Sequence, residues 1–321
     1  MNISHIARAA AVVLFAAPAA QAAALPVVKH MLADKNADYD LAIDYPQTGM
    51  KAIDDDLVQS VKAYAADFRR EAKGARADSG RAYTLEAHYD VVRNDADGFA
   101  VKFDAEIDMA GAHPNEDIWT ANYLRADGWR IYLPELFDGP RALPKISAAA
   151  IADLDRRLTT GAEPVSDKDW VARGAAPVGT NFAVFALMPH AIHFWFPPYA
   201  VASFAAGPQE TEIPLAPLRA YLRPDPRAPA ASFDCVRAAS PTERAICADV
   251  ALARLDRAVA EAYATALTEA NDDGQKTAQR TRQRAWLGRR NDACKTQAGA
   301  GLIACLTGVY RERLASFQPG Q

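Results

Sequence analysis

The chain has 321 residues, half of them apolar, and a formal net charge of −4. That length and composition suit a globular protein with room for two domains, and exclude a disordered chain. The charge is uneven. Residues 231–321 carry ten acids against thirteen bases, so the rest of the chain is acidic, which disfavours nucleic acid as a partner.

Residues 1–22 read as a secretory signal peptide. Arg8 supplies a short positive region, and Ala9 to Ala19 is an apolar run too short to span a bilayer. Ala20-Gln21-Ala22 offers small residues at the cleavage positions, so cleavage is expected after Ala22. No Cys follows that site, which argues against a lipid anchor. No later run reaches about 18 apolar residues, so no membrane span is expected. The mature protein is expected to be periplasmic or secreted.

Residues 23–37 give no clear signal. Tyr39 to Tyr45 alternates and reads as a strand, turned by Pro46 to Gly49. Ile53, Leu57, Val61, Ala65 and Phe68 then fall on one helical face, with Asp54, Asp55 and Asp56 early and Arg69 and Arg70 late, as the helix dipole favours. Gly74 is a natural stop. The clearest strand signal follows. Tyr83, Leu85, Ala87, Tyr89 and Val91 alternate with polar or small residues, and Asn94 to Gly98 is a turn. Phe99, Val101, Phe103, Ala105, Ile107 and Met109 alternate again. That pattern predicts an antiparallel pair with one buried face. Ile118 to Leu124 and Trp129 to Leu133 read as further strands, and Ile146 to Leu158 as a helix burying Ile151, Leu154 and Leu158. Trp170 is left without an element. Phe182 to Leu187 and Ile192 to Phe196 read as a second hairpin, turning at Pro189-His190. Glu212 to Leu215 leads into a short helix through Leu222. Arg223 to Ala230 has three prolines and reads as a stiff linker.

All four cysteines, Cys235, Cys247, Cys294 and Cys305, lie beyond that linker. Their spacings include no C-x-x-C pair, and no His lies among them, which disfavours a zinc site. An even count in an exported helical segment reads as two disulfides. Four cysteines allow three pairings, and sequence does not choose between them. The two local ones, Cys235–Cys247 and Cys294–Cys305, are favoured; each would add about 3 kcal/mol in the chain-entropy model. Ser240-Pro241-Thr242-Glu243 is a capping box. Three helices are expected. The first carries Leu252, Leu255, Val259, Tyr263 and Leu267, and is broken by Asn271 to Gly274. The second carries Gln283 to Leu287, and the third Ile303, Leu306, Tyr310 and Leu314.

Phe233-Asp234-Cys235, Glu243-x-x-Ile246-Cys247, Gln283-Arg284-x-Trp286-Leu287-x-x-Arg290, Cys294, Cys305-Leu306 and Tyr310-x-x-Arg313 resemble the LprI-type lysozyme-inhibitor domain, over about residues 232–317. The resemblance implies an envelope binding module. Tyr45-Pro46-Gln47-Thr48-Gly49, Gly111-Ala112-His113-Pro114-Asn115, Leu136-Phe137 and Phe194-x-Phe196-x-Pro198-Tyr199 resemble a second family. It is the extracellular module of lysozyme-sensing anti-sigma factors, which also occurs beside peptidoglycan deacetylase domains. That resemblance runs from about 37 to 222 and implies a lysozyme-binding or wall-associated surface. The chain lacks the transmembrane helix and cytoplasmic tail of the anti-sigma factor and has no room for a deacetylase domain, so signalling and deacetylation are not expected.

His113 is the most tempting catalytic candidate, in a polar loop with two carboxylates nearby. The bland reading is hydrogen bonding within a turn, and no H-E-x-x-H, G-x-S-x-G or phosphate-cradling loop accompanies it. Arg280, Arg282, Arg284, Arg289 and Arg290 form a basic run that could meet an anion, or serve as a solvated helix face. Trp286 reads as core before ligand platform, and Trp195 and Tyr199 as packing before groove.

The expected fold is α+β: an antiparallel sheet domain with packed helices over 25–222, a Pro-rich linker over 223–231, and a small disulfide-linked all-α domain over 232–317. The expected function is non-catalytic binding without cofactor or metal, to lysozyme, with the c-type favoured for its positive charge. A peptidoglycan- or envelope-binding module is the alternative. The candidate binding residues are Tyr199, Trp195, His113, Trp286, Arg289 and Arg290.

Overall fold

The computed structural model describes residues 24–138, 141–229, 231–268, 270 and 272–317. The expected signal peptide and cleavage site lie outside the described residues, as do Ala230 of the linker and Asn271 of the predicted helix break.

Strands β1 (Val28–Lys35) and β2 (Tyr39–Gln47) open a six-stranded sheet. Helix α1 (Lys51–Glu71) and the short α2 (Ala75–Ser79) then carry the chain to β3 (Tyr83–Asn94), β4 (Gly98–Asp108), β5 (Asn115–Leu124) and β6 (Arg130–Ile131). The sheet order is β1-β2-β3-β4-β5-β6, and every pair is antiparallel except β2–β3. A helical crossover is what a parallel pair requires, and α1 supplies it.

The apolar stripe of α1 behaves as its spacing predicts: Ile53, Leu57, Val61, Ala65 and Phe68 are all buried. Full burial contributes about 1.5–3 kcal/mol for each large apolar side chain, before entropy is charged. The helix start is held by Asp54, whose carboxylate accepts from Thr48 N, Thr48 Oγ1 and Gly49 N at 2.7, 2.9 and 3.0 Å. Gly74, in the left-handed region at φ 84°, separates α1 from α2. The β3–β4 hairpin sets Leu85 opposite Ile107, Ala87 opposite Ala105 and Val91 opposite Val101. Strand β1 had no sequence signal because it is an edge with both faces largely wet; Val28 and Met31 are exposed.

A second apolar cluster lies beyond β6. It is built by α3 (Ala142–Leu158), α4 (Lys168–Gly174) and a three-stranded antiparallel sheet of β7 (Phe185–Leu187), β8 (Ala191–Phe196) and β9 (Gln209–Pro214). Helix α3 buries Ala142, Ile146, Ala150 and Leu154 at steps of four, so Ile151 is turned half outward. The predicted strand from Phe182 begins at Phe185, because Gly179–Phe182 is a 3-10 turn that drops Phe182 edge-on against Phe194 and Phe196. Strand β9 stands where the sequence suggested only an approach to a helix. Its Gln-Glu-Thr-Glu opening lacks apolar alternation, yet Thr211 and Ile213 point inward. Of the strand expected over Trp129 to Leu133, only Arg130 and Ile131 pair; Leu133–Leu136 is a 3-10 turn.

The C-terminal part is helical, with four α-helices among the described residues rather than three: α5 (Pro241–Ala248), α6 (Val250–Thr268), α7 (Asp273–Cys294) and α8 (Gly299–Ala315). The expected capping box is present at Ser240 and Glu243. It starts α5, and Asp249 then breaks the chain and caps α6 by accepting from Leu252 N at 2.8 Å. Cys235–Cys247 ties the segment before α5 to its last turn, and Cys294–Cys305 ties α7 to α8. Inside, Trp286 meets Tyr310 edge-on at 5.2 Å. The Tyr310 hydroxyl donates to Asp256 (2.6 Å) and accepts from Arg290 (2.7 Å), so the buried charges are paired and hydrogen-bonded. Burial, and next the Asp256 charge, push the Tyr310 hydroxyl far above its ordinary value. No helix among the described residues is long and apolar enough to cross a membrane.

Candidate functional site

The structure brings His113 and Tyr199 together across 86 residues of sequence. His113 sits in the loop between β4 and β5 and is exposed. Its Nδ1 donates to the Pro114 carbonyl at 2.7 Å, and its Nε2 faces the Tyr199 hydroxyl at 3.5 Å. The imidazole stacks on Phe204 at 4.1 Å, and the Tyr199 ring lies 5.6 Å from Phe204. The result is a surface patch of three rings with two polar tips. Of the two nearby carboxylates, Asp117 accepts from the Tyr64 hydroxyl at 2.9 Å and so belongs to α1 packing rather than to His113.

Backbone conformation marks this patch. Among the described residues the non-glycine positions with left-handed φ are Ala110 (61°) and Tyr199 (69°), one in each of its loops. A side chain there costs about 1–2 kcal/mol and persists only where the surroundings enforce it. At Tyr199 the enforcement comes from α4. Trp170 Nε1 donates to the Tyr199 carbonyl at 3.0 Å, and Asp167 caps the helix by accepting from Trp170 N at 2.7 Å. Tyr199 stays 54 % exposed, so the strain presents a ring to solvent instead of burying it. Phe204 is not among the sequence candidates, and Trp170, unplaced by the sequence, proves to hold the Tyr199 backbone. The signal for Phe204 was only its place beside the Pro-Tyr segment.

The other candidates lie elsewhere. Trp195 on β8 is half-buried, stacked on His193 at 4.2 Å with the Lys102 ammonium 5.8 Å from its ring. Trp286 and Arg290 are 6 % and 7 % exposed and belong to the helical core, so Arg289 alone of that group reaches solvent. Among the described residues no group of three His, Cys, Asp or Glu could hold a metal ion.

A second feature is the seam where the helices meet the sheet part. Arg254 of α6 makes a two-point contact with Glu135 (2.5 and 3.1 Å) and donates to the Arg130 carbonyl at 3.1 Å. Its guanidinium lies 5.1 Å from the Trp129 ring and 4.9 Å from the Tyr132 ring. Glu135 is itself aimed by its own 3-10 turn, accepting from Tyr132 N at 3.1 Å. Next to this clamp is a cleft of about 630 Å³ between the 129–135 segment, α6 and α8. At its edge Glu261 lies over Gly179, so close that a Cβ there would sit 2.8 Å from the carboxyl. Burial raises the Glu261 pKa, against the opposing pull of Arg257.

Two family models match this chain in sequence. Residues 235–316 match the model of the lysozyme inhibitor LprI. Residues 134–216 match that of a protein of unknown function, DUF3298. The DUF3298 match takes in Tyr199, Phe204 and Trp170 but not His113 or the strands before it. No curated protein matches the chain. Among solved structures, a member of the DUF3298 family from Bacteroides fragilis is 15 % identical, with a TM-score of 0.45 over 63 % of this chain and 96 % of its own. A DUF3298 family protein from Pseudomonas aeruginosa is 13 % identical, with a TM-score of 0.43 over 62 % and 95 %.

Proposed function

We propose that this chain is an exported, non-catalytic binding protein of the bacterial envelope that engages lysozyme and blocks its cleft, with c-type enzymes favoured. The observation that carries the reading is the match of residues 235–316 to the lysozyme inhibitor LprI. Two disulfides suit an oxidising compartment and so support export. The proposed organisation is a sheet part over 25–222, a linker over 223–231 and a helical part over 232–317. In this reading the part over about 37–222, which includes the DUF3298 match, is related to the sensor module of anti-sigma factors that its motifs resemble.

The proposed contact is the His113–Tyr199–Phe204 patch. An exposed, rigid aromatic ring held by its own backbone loses little entropy on binding, which is the property of an interface anchor. The acidic charge of the chain before residue 231 would draw a basic enzyme toward it. A wall-binding role is the second reading, favoured by the same patch, since flat exposed rings also suit sugar faces.

The test is calorimetric titration of the purified protein against c-type and g-type lysozymes, with a cell-wall lysis assay and sacculus pull-down in parallel. Binding with loss of lysis, weakened in Tyr199→Ala, supports the inhibitor reading. No binding at tens of micromolar with retention on sacculi transfers the patch to the wall.

A further inference from the structure

Helix α7 carries more positive charge than the helical core uses. Its inward face presents Trp286, Arg290 and Cys294. Arg282 and Arg289, seven residues apart, share one flank of that face, and Arg280 and Arg284 fall on the other. All four are exposed. Among the described residues no carboxylate forms an ion pair with any of them; the Asp256 pairing goes to Arg290 alone.

The Arg282–Arg289 flank differs from the other because α8 adds a third guanidinium there. Arg313 donates from Nη2 to Gln283 Oε1 (2.9 Å) and from Nη1 to Ser316 Oγ (3.2 Å), both neutral acceptors. Its Nε–H is buried with no acceptor among the described residues. The side chain is packed by Phe317 at 4.1 Å and Trp286 at 5.8 Å, which fixes its place. Burial first, then the charges of Arg289 and Arg282, lower its pKa from the usual arginine value. Arg282 and Arg313, but not Arg289, line a pocket of about 480 Å³ that opens between the ends of α6, α7 and α8, with Gln275, Gln279, Ser316 and Phe317.

Arg282 and Arg313 line one pocket, and no carboxylate among the described residues pairs with either, so two like charges face the same space. A tetrahedral oxyanion reverses the sign of that interaction, because each guanidinium offers paired N–H donors that fit its oxygens. A phosphate fits better than a carboxylate here, having more charge and more oxygens to share between two guanidinium groups. The pocket leaves room for whatever carries it. We infer that Arg282 and Arg313 form a binding site for a phosphate group, with Arg289 two turns along the same flank adding positive charge, distinct from the aromatic patch and independent of the lysozyme reading. The phosphate can belong to a soluble ester or to a lipid headgroup.

The experiment compares the full protein with two double variants of equal net charge, R282Q/R289Q and R280Q/R284Q. Melting is followed with inorganic phosphate, with pyrophosphate and with chloride at matched ionic strength. Flotation is measured with phosphatidylglycerol and with phosphatidylcholine vesicles. Pyrophosphate should raise the melting temperature of the wild type and of R280Q/R284Q. In R282Q/R289Q its affinity should fall by about ten-fold or more, the usual scale for losing a charge-assisted hydrogen bond. That variant should melt no lower than wild type without phosphate, since it relieves the repulsion on Arg313, and this checks its fold. Flotation with phosphatidylglycerol alone, lost only in R282Q/R289Q, assigns the phosphate to a lipid. No response to either form, or equal loss in both double variants, overturns the site.

Discussion

Gly174 and Ala200 meet backbone to backbone. A Cβ at position 174 would lie 1.9 Å from the Ala200 carbonyl oxygen and 2.7 Å from its carbon. Those atoms are main chain and cannot swing aside. The contact seats the Tyr199–Ala200 turn against the last residue of α4, three residues after Val171 enters the core. Gly174→Ala must therefore push the turn off the helix. Overpacking of this kind costs about 3 kcal/mol. Urea melts should show that loss, and any lysozyme binding should fall with it. An unchanged melt would mean that the turn moves freely and that Tyr199 is not held as described.

Tyr199 separates strain from contact. Replacing it with Ala or with Gly removes the ring in both cases, but only Gly relieves the left-handed φ of 69°. Tyr199→Gly should be more stable than Tyr199→Ala by about 1 kcal/mol, after allowing for the added freedom of the unfolded glycine chain. Both should lose binding alike if the ring is the anchor. Equal stability of the two variants would remove the argument that strain marks the patch.

Much of this architecture was legible in the chain because one face of each element is dry and the other wet. The β3–β4 hairpin and the α1 stripe announce themselves by alternation and by three-four spacing, and their predicted inward residues are buried. Strands β1 and β9 did not: β1 is an edge that is wet on both faces, and the inward face of β9 opens on the polar Thr211. The break at Asp249 was hidden because apolar residues continue on both sides of it. Arg290 was grouped with the exposed arginines, yet it lies four residues after Trp286 and so points inward to Tyr310. That spacing was a usable signal. The His113–Tyr199 meeting was not, since nothing local in either loop encodes a contact 86 residues away.

Asp95 makes the acid limit of the β3–β4 turn measurable. Its carboxylate takes Arg93 Nε at 2.7 Å and accepts from Asp97 N and Gly98 N, each at 2.9 Å. The Arg93 hydrogen bond leads in lowering its pKa from 3.8 to about 2. A depressed folded pKa adds stability that is fully present above the unfolded value and is lost as pH falls through the folded one. The contribution should therefore be constant above about pH 4 and fade toward pH 2. Asp95→Asn should lower the melting temperature at pH 7, and most of the gap to wild type should be gone by pH 2. The carboxylate is 37 % exposed, so the gap will be modest and will shrink in salt. A gap that persists undiminished at pH 2 would mean that the turn needs the side-chain shape rather than the charge.

The clamp between Arg254 and Glu135 joins the helical part to the sheet part. Glu135 is 5 % exposed and Arg254 34 %, so removing the arginine strands a buried carboxylate. Breaking one partner of such a pair costs about 3 kcal/mol, most of it the unpaired charge. Glu135→Gln with Arg254 intact should cost less, because the amide is neutral and can still accept from the guanidinium. The ordering Arg254→Ala below Glu135→Gln below wild type should appear in chemical melts. Arg254→Ala should also separate one cooperative transition into two, with the disulfide-tied helices unfolding apart from the sheet. Small-angle scattering should then show a longer maximum dimension. If Arg254→Ala keeps a single transition and an unchanged scattering profile, the two parts are held by the apolar walls of the cleft and not by the ion pair.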